Sequence, residues 1–142
     1  MSSVAVIDTN VLIAGILTSD ALAPTARIVD GMLSRRFAFA LSEALLSEYR
    51  EVLLRPRIRV RHGLDERSVD EILTRLALEA IVVEPESGST IAAPDSGGQF
   101  LWDLLAALEH PVLVTGDGRL RKGGLPSGSA LSPTLFCETV SI

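Results

Sequence analysis

Three carboxylates stand where acid chemistry would be placed in a chain of alternating apolar strands and helices. Asp8 directly follows an apolar run at residues 4–7, and Asp117 follows a second run at 112–114. An acid at the end of a buried strand sits at the rim of a sheet, partly buried. Its compensation is a helix dipole, a hydrogen-bond network or a cation. If both strands belong to one parallel sheet, the two acids converge across its carboxyl edge, where like charges repel unless a proton or a metal mediates. Glu48 is the third candidate. On an ideal helical wheel Leu45, Leu46, Tyr49, Val52 and Leu53 span about 120°, and Glu48 lies about 40° beyond Val52. Glu43 and Glu51 fall on the solvent side. Each acid alone has an ordinary reading as well: a turn or N-cap residue for Asp8 and Asp117, a surface ion pair for Glu48. Three oxygen donors with no cysteine cluster suit a hard cation, Mg²⁺ or Mn²⁺.

Composition excludes several other chemistries. The single cysteine, Cys137, rules out a disulfide framework and a Cys-rich zinc site. His62 and His110 form no ligand motif together and read as surface or loop residues. Neither a Gly-x-x-x-x-Gly-Lys phosphate loop nor a Gly-x-Ser-x-Gly elbow occurs. At 142 residues and 47% hydrophobic, the chain fits one domain, 1–142, with a core of its own. The start lacks the basic region of a signal peptide, and no uncharged apolar run would span a bilayer. A soluble, cytoplasmic protein is the expectation. The net charge of −5 argues against coating nucleic acid by bulk charge. Charge placement is more informative. Lys122 is the only lysine; six arginines lie between Arg50 and Arg67, and Arg119, Arg121 and Lys122 form a second cluster. Both clusters read either as solvated, salt-bridged surface or as a phosphate-contacting rim, for which Arg suits better than Lys.

The elements that position these residues follow from hydrophobic spacing. Residues 4–7, 37–41, 80–83 and 112–114 read as strands, and Ala130 and Leu131 as a short last one. A buried helix starts near Val11. Pro24 opens the next, with Ile28, Val29, Met32 and Leu33 at helical spacing. Ser42 caps a helix that Pro56 limits, and Asp65 caps another carrying Val69, Ile72, Leu73 and Leu76. Residues 86–98 form the clearest loop. Phe100, Leu101, Leu104, Leu105 and Leu108 mark a helix, and Ser132 and Pro133 open a last one through Phe136. Alternating strands and helices predict an α/β fold with a parallel sheet and sites at its carboxyl edge.

On these residues the chain resembles a known family. Val6-Ile7-Asp8-Thr9-Asn10-Val11-Leu12 resembles the opening motif of PIN domains, residues 42–53 their second motif, and Val114-Thr115-Gly116-Asp117 their fourth. The fit is closest to bacterial VapC-like toxins of toxin–antitoxin systems. The resemblance implies a three-layer α/β/α fold with a central parallel sheet flanked by helices, and a Mg²⁺- or Mn²⁺-dependent ribonuclease. It implies Asp8, Glu48 and Asp117 as catalytic metal ligands, a homodimer, and a small antitoxin partner. Asn10 and Thr115 would orient acids or waters, or simply cap turns. Arg119, Arg121 and Lys122 could contact the RNA backbone.

One departure stands out. The family places a further aspartate at the start of the helix before the fourth strand, where this chain has Gly97 or Gly98. Asp95, displaced toward the loop, either reaches the site as a further metal ligand or is an ordinary turn residue. Asp103 lies a turn further on and does not replace it. A rival reading is therefore a degenerate PIN domain that binds RNA or a protein partner without cutting. Haloacid-dehalogenase-type phosphatases need an acid where Asn10 stands, and response-regulator receivers need an acidic pair at the first strand; both fit less well.

Overall fold

The structure is a computed structural model that describes residues 3–86, 92–94, 96–122 and 124–142. Its centre is a short-stranded parallel sheet. β1 (Ala5–Ile7) pairs with β4 (Val112–Val114), which pairs with β5 (Ser129–Leu131). A second parallel ladder joins β2 (Ala40–Leu41) to β3 (Ile81–Val82). A parallel bridge between Ala5 and Phe39 ties the two ladders, and the Ala5 N–H donates to the Ala38 carbonyl at 2.9 Å. The strands thus run in the order β3-β2-β1-β4-β5. The chain builds outward from β1 on one side, then crosses to β4 and builds on the other. The order reverses between β1 and β4, and in such sheets the crevice at the strand ends there is the natural binding place.

Helices flank this sheet: α1 (Thr9–Leu17), α2 (Pro24–Leu33), α3 (Glu43–Leu53), α4 (Pro56–His62), α5 (Glu66–Glu79), α6 (Gln99–Ala106), α7 (Gly118–Lys122) and α8 (Pro133–Val140). Their starts follow the sequence signals. The side chains of Ser42, Asp65 and Ser132 accept the amides of Leu45, Ser68 and Leu135, each satisfying a donor that the first turn leaves open. Pro24, Pro56 and Pro133 open helices where a missing N–H costs nothing. α1 and α2 meet closely at Gly15, where a Cβ would lie 2.4 Å from the Thr25 carbonyl oxygen. Val6, Ile7, Leu12, Met32, Leu41, Leu45, Leu104 and Val114 belong to the one continuous core that these layers enclose.

Several elements depart from the sequence expectation. The strand expected over 37–41 narrows to Ala40–Leu41, and that over 80–83 to Ile81–Val82. Both residues of β3 are exposed, because it is the outer strand. The last helix runs on to Val140 rather than stopping at Phe136. Two short helices, α4 and α7, carry no apolar stripe that would announce them; α4 has no buried residue at all.

Candidate active site

Asp8 and Asp117 take their places from β1 and β4. The Asp8 backbone N–H donates to the Val114 carbonyl at 3.0 Å, so Asp8 prolongs the β1–β4 ladder by one bond just as α1 begins. Asp8 occupies the N-cap position of α1, yet its side chain makes no capping hydrogen bond. It turns instead toward β4, where the Thr115 hydroxyl donates to Asp8 Oδ2 at 2.7 Å. The same hydroxyl oxygen accepts the Asp117 N–H at 3.1 Å. Fully buried Thr115 is therefore hydrogen-bonded to both acids at once. From behind, the buried Tyr49 hydroxyl donates to the Ile7 carbonyl and locks α3 against the end of β1.

Glu48 reaches the same place from α3, one residue before Tyr49. Asp8, Glu48 and Asp117 open onto one groove of ≈ 550 Å³. Asn10 also lines it, as do Gly97 and Gly98, while Phe100, Leu101 and Trp102 supply an apolar wall. A larger depression, ≈ 780 Å³, lies along α5 between Glu66 and Arg75. It is shallow, and most of its charges pair with one another or with α3, as Arg67 does with Glu71 at 3.5 Å and Asp70 with Arg50 at 2.8 Å. The groove at the strand ends carries the candidate chemistry.

Electrostatics separate the two strand-end acids. Burial pushes the Asp8 carboxyl above its usual range, and the Asp117 charge adds to this, while the Thr115 hydroxyl and the Thr9 amide oppose it. Asp117 is held below its usual range by the Arg119 amide and guanidinium. Its Oδ1 accepts the Arg119 N–H at 2.9 Å, and its Oδ2 lies 3.5 Å from the guanidinium. Asp117 thus serves the start of α7 as well as facing the groove. Neither Asp8 nor Glu48 has a basic partner among the described residues.

The donor set suits a hard cation: carboxylate oxygens only, two of them without a positive neighbour, one desolvated and repelled by another. Among the described residues no three acidic or imidazole groups gather tightly enough to form a ready-made metal cluster.

The remaining sequence candidates fall out differently. Asn10 is exposed at the groove and makes no hydrogen bond to the acids among the described residues. Arg119 reaches the groove but is engaged by Asp117. Arg121 does not line the groove. Its guanidinium donates to the Thr115 carbonyl at 3.1 Å, because the short α7 turns it back onto the end of β4. Asp95 and the Lys122 side chain lie outside the described residues. Asp103 is absent from the groove lining, and its carboxylate accepts from the Gln99 side chain at 2.9 Å. Gly98 holds the N-cap of α6, and a Cβ there would meet nothing within 4 Å. The apolar wall is not evident in the sequence, where Phe100 and Leu101 mark a helix and Trp102 carries no signal of its own.

A family model described as PIN domain matches residues 4–119. The chain belongs to the PIN-domain family. The matched stretch runs from the residue before β1 into α7 and so includes Asp8, Glu48 and Asp117. PIN domains are typically nucleases that use divalent metals, which makes a nuclease-type function the general assignment for this PIN domain. No curated protein matches the chain. No helix among the described residues is long and apolar enough to cross a membrane.

Proposed function

We propose that this PIN domain is a divalent-metal-dependent endoribonuclease whose site is Asp8, Glu48 and Asp117. The observation that carries the reading is their opening onto one groove at the reversal point of the sheet, inside the matched stretch. Asp8, Glu48 and Asp117 would hold Mg²⁺ or Mn²⁺, partly through water. The ion supplies Lewis-acid stabilisation of the phosphate and acidifies water beside it. Thr115 keeps the Asp8 carboxylate aimed outward, and Asn10 offers an amide at the rim to orient water or substrate. Water adds to phosphorus as the P–O3′ bond breaks, which leaves a 5′-phosphate on one fragment and a 3′-hydroxyl on the other. The resemblance to bacterial PIN toxins supports a toxin role, a cytoplasmic location, a homodimer and a small antitoxin as partner.

The test is cleavage of single-stranded RNA with Mg²⁺ or Mn²⁺, by the parent and by Asp8→Asn. The reading predicts metal-dependent cleavage that the variant loses. Equal cleavage by both would remove Asp8 from the site. A second reading draws on Gly97 and Gly98, which line the groove where the family carries an acid. It takes the protein as a degenerate PIN domain that binds RNA or a partner without cutting. RNA binding with no cleavage at any metal concentration would favour it.

A further inference from the structure

The acid groove has a problem as an RNA site: its own charges repel the phosphate backbone. Cations must lie alongside, yet the two described beside the acids are engaged, Arg119 by Asp117 and Arg121 by the Thr115 carbonyl. Free cations stand instead on α4. This seven-residue helix carries Arg57, Arg59 and Arg61, follows Arg55, and buries none of its side chains. Arg55 pairs with Glu51 at 3.6 Å, and Arg59 lies close enough to Asp65 to act on its charge. Arg57 and Arg61 have no hydrogen-bond or ionic partner among the described residues. They are four residues apart and share one edge of the helix, stacked one turn above the other.

That edge faces α1. A cleft of ≈ 390 Å³ runs between the two helices, with Ile13, Leu17 and Ile58 as its floor and Arg61 at its rim. Asn10 lines this cleft and also lines the acid groove. Asn10 thus stands at the border between the two. The helix bearing the arginines is held in place. The His62 ring contacts the Leu53 carbonyl through Nε2 at 2.8 Å and accepts the Leu64 N–H on Nδ1 at 2.9 Å, and Gly63 ends the helix in the left-handed conformation.

We infer that the α1–α4 cleft is the track along which single-stranded RNA leads into the acid groove, with Arg57 and Arg61 on successive phosphates and the apolar floor beneath the sugars or bases. This rests on the ribonuclease reading above. Free arginine forks suit phosphate, and an apolar floor suits the unstacked face of a single strand. In a chain of net charge −5, two unpaired arginines on one helix, one of them at the cleft that borders the acid groove, give a local attraction that the whole molecule lacks.

The test is fluorescence anisotropy with a labelled single-stranded oligoribonucleotide in EDTA, on an Asp8→Asn background, so that binding is read without cleavage. Arg57→Ala with Arg61→Ala should weaken binding about tenfold and lower the slope of log affinity against log salt by about 1.4, two phosphates' worth. Arg57→Lys with Arg61→Lys should retain most of the salt slope, and Arg67→Ala on α5 should change neither quantity. Circular dichroism and thermal melting check that each variant folds; should the alanine pair fail to fold, Arg61→Glu alone must weaken binding. Unchanged affinity and slope in the folded alanine pair, with the parent binding normally, would overturn the track and leave the ribonuclease reading standing. A parent that neither binds nor cleaves RNA would overturn both. Displacement of the RNA by polyglutamate at equal charge concentration would assign the cleft to an acidic protein segment and overturn the RNA track.

Discussion

The Thr115 hydroxyl donates a hydrogen bond to the Asp8 carboxylate and accepts the Asp117 N–H, so one buried side chain sets both strand-end acids. Thr115→Val keeps the shape and removes both bonds. It should cost about 1–3 kcal/mol of stability, since a donor and a carboxylate lose partners in a buried place. Mn²⁺ affinity should fall as well, and Thr115→Ser should restore both. Urea denaturation and calorimetry on the two variants check this.

Asp8 should make the metal-free protein less stable as pH rises. Its carboxyl is raised above its unfolded value, chiefly by burial. The folded state therefore holds the proton more tightly, and stability falls as pH climbs from the unfolded pKa, near 4, through the raised folded one. Asp117 has the opposite sign: its carboxyl is lowered, so its contribution is present above the unfolded pKa and is lost as pH falls through the folded one. Asp8→Asn in EDTA should then melt at a higher temperature than the parent at pH 7. The gain should vanish near pH 3, and an equal gain at both values would count against the burial argument.

Glu48 and Glu51 separate the two faces of α3. Glu48→Gln should reduce RNA cleavage by about a hundredfold or more, the scale of losing a group that stabilises transition-state charge. Glu51→Gln breaks only an exposed pair with Arg55 and should leave cleavage unchanged. Comparable losses in single-turnover assays would mean that the wrong face had been assigned.

Arg119→Ala releases Asp117 for a cation. Folding should change little, because the pair is exposed and screened by solvent. Mn²⁺ should bind more tightly, while RNA affinity falls with the lost cation. Calorimetry and anisotropy on the same variant separate the two effects.

Gly98→Asp fills open space at the N-cap of α6, a position that favours aspartate. It should raise Mn²⁺ affinity severalfold and speed RNA cleavage. If neither Gly98→Asp nor Gly97→Asp has any effect on metal binding, the groove lacks no acid.

The site was legible where local rules govern it. Asp8 and Asp117 follow apolar strands, and Glu48 falls at a calculable angle beside Leu45 and Tyr49. The caps at Ser42, Asp65 and Ser132 follow from side chains that can reach an open amide. What escaped was set by tertiary contact. α4 has no apolar stripe, since it packs by its edge and by the His62 ring. Arg121 turns back to Thr115 only because five residues form α7. β2 and β3 shrink to two residues each, since pairing rather than apolar content sets their length.

Asp8, Glu48 and Asp117 are together expected to hold a divalent cation. Titration calorimetry of Mn²⁺ into the parent protein and into Asp8→Asn tests it most directly. The parent should bind the ion, and Asp8→Asn should not. No binding by the parent, or undiminished binding by the variant, would contradict it.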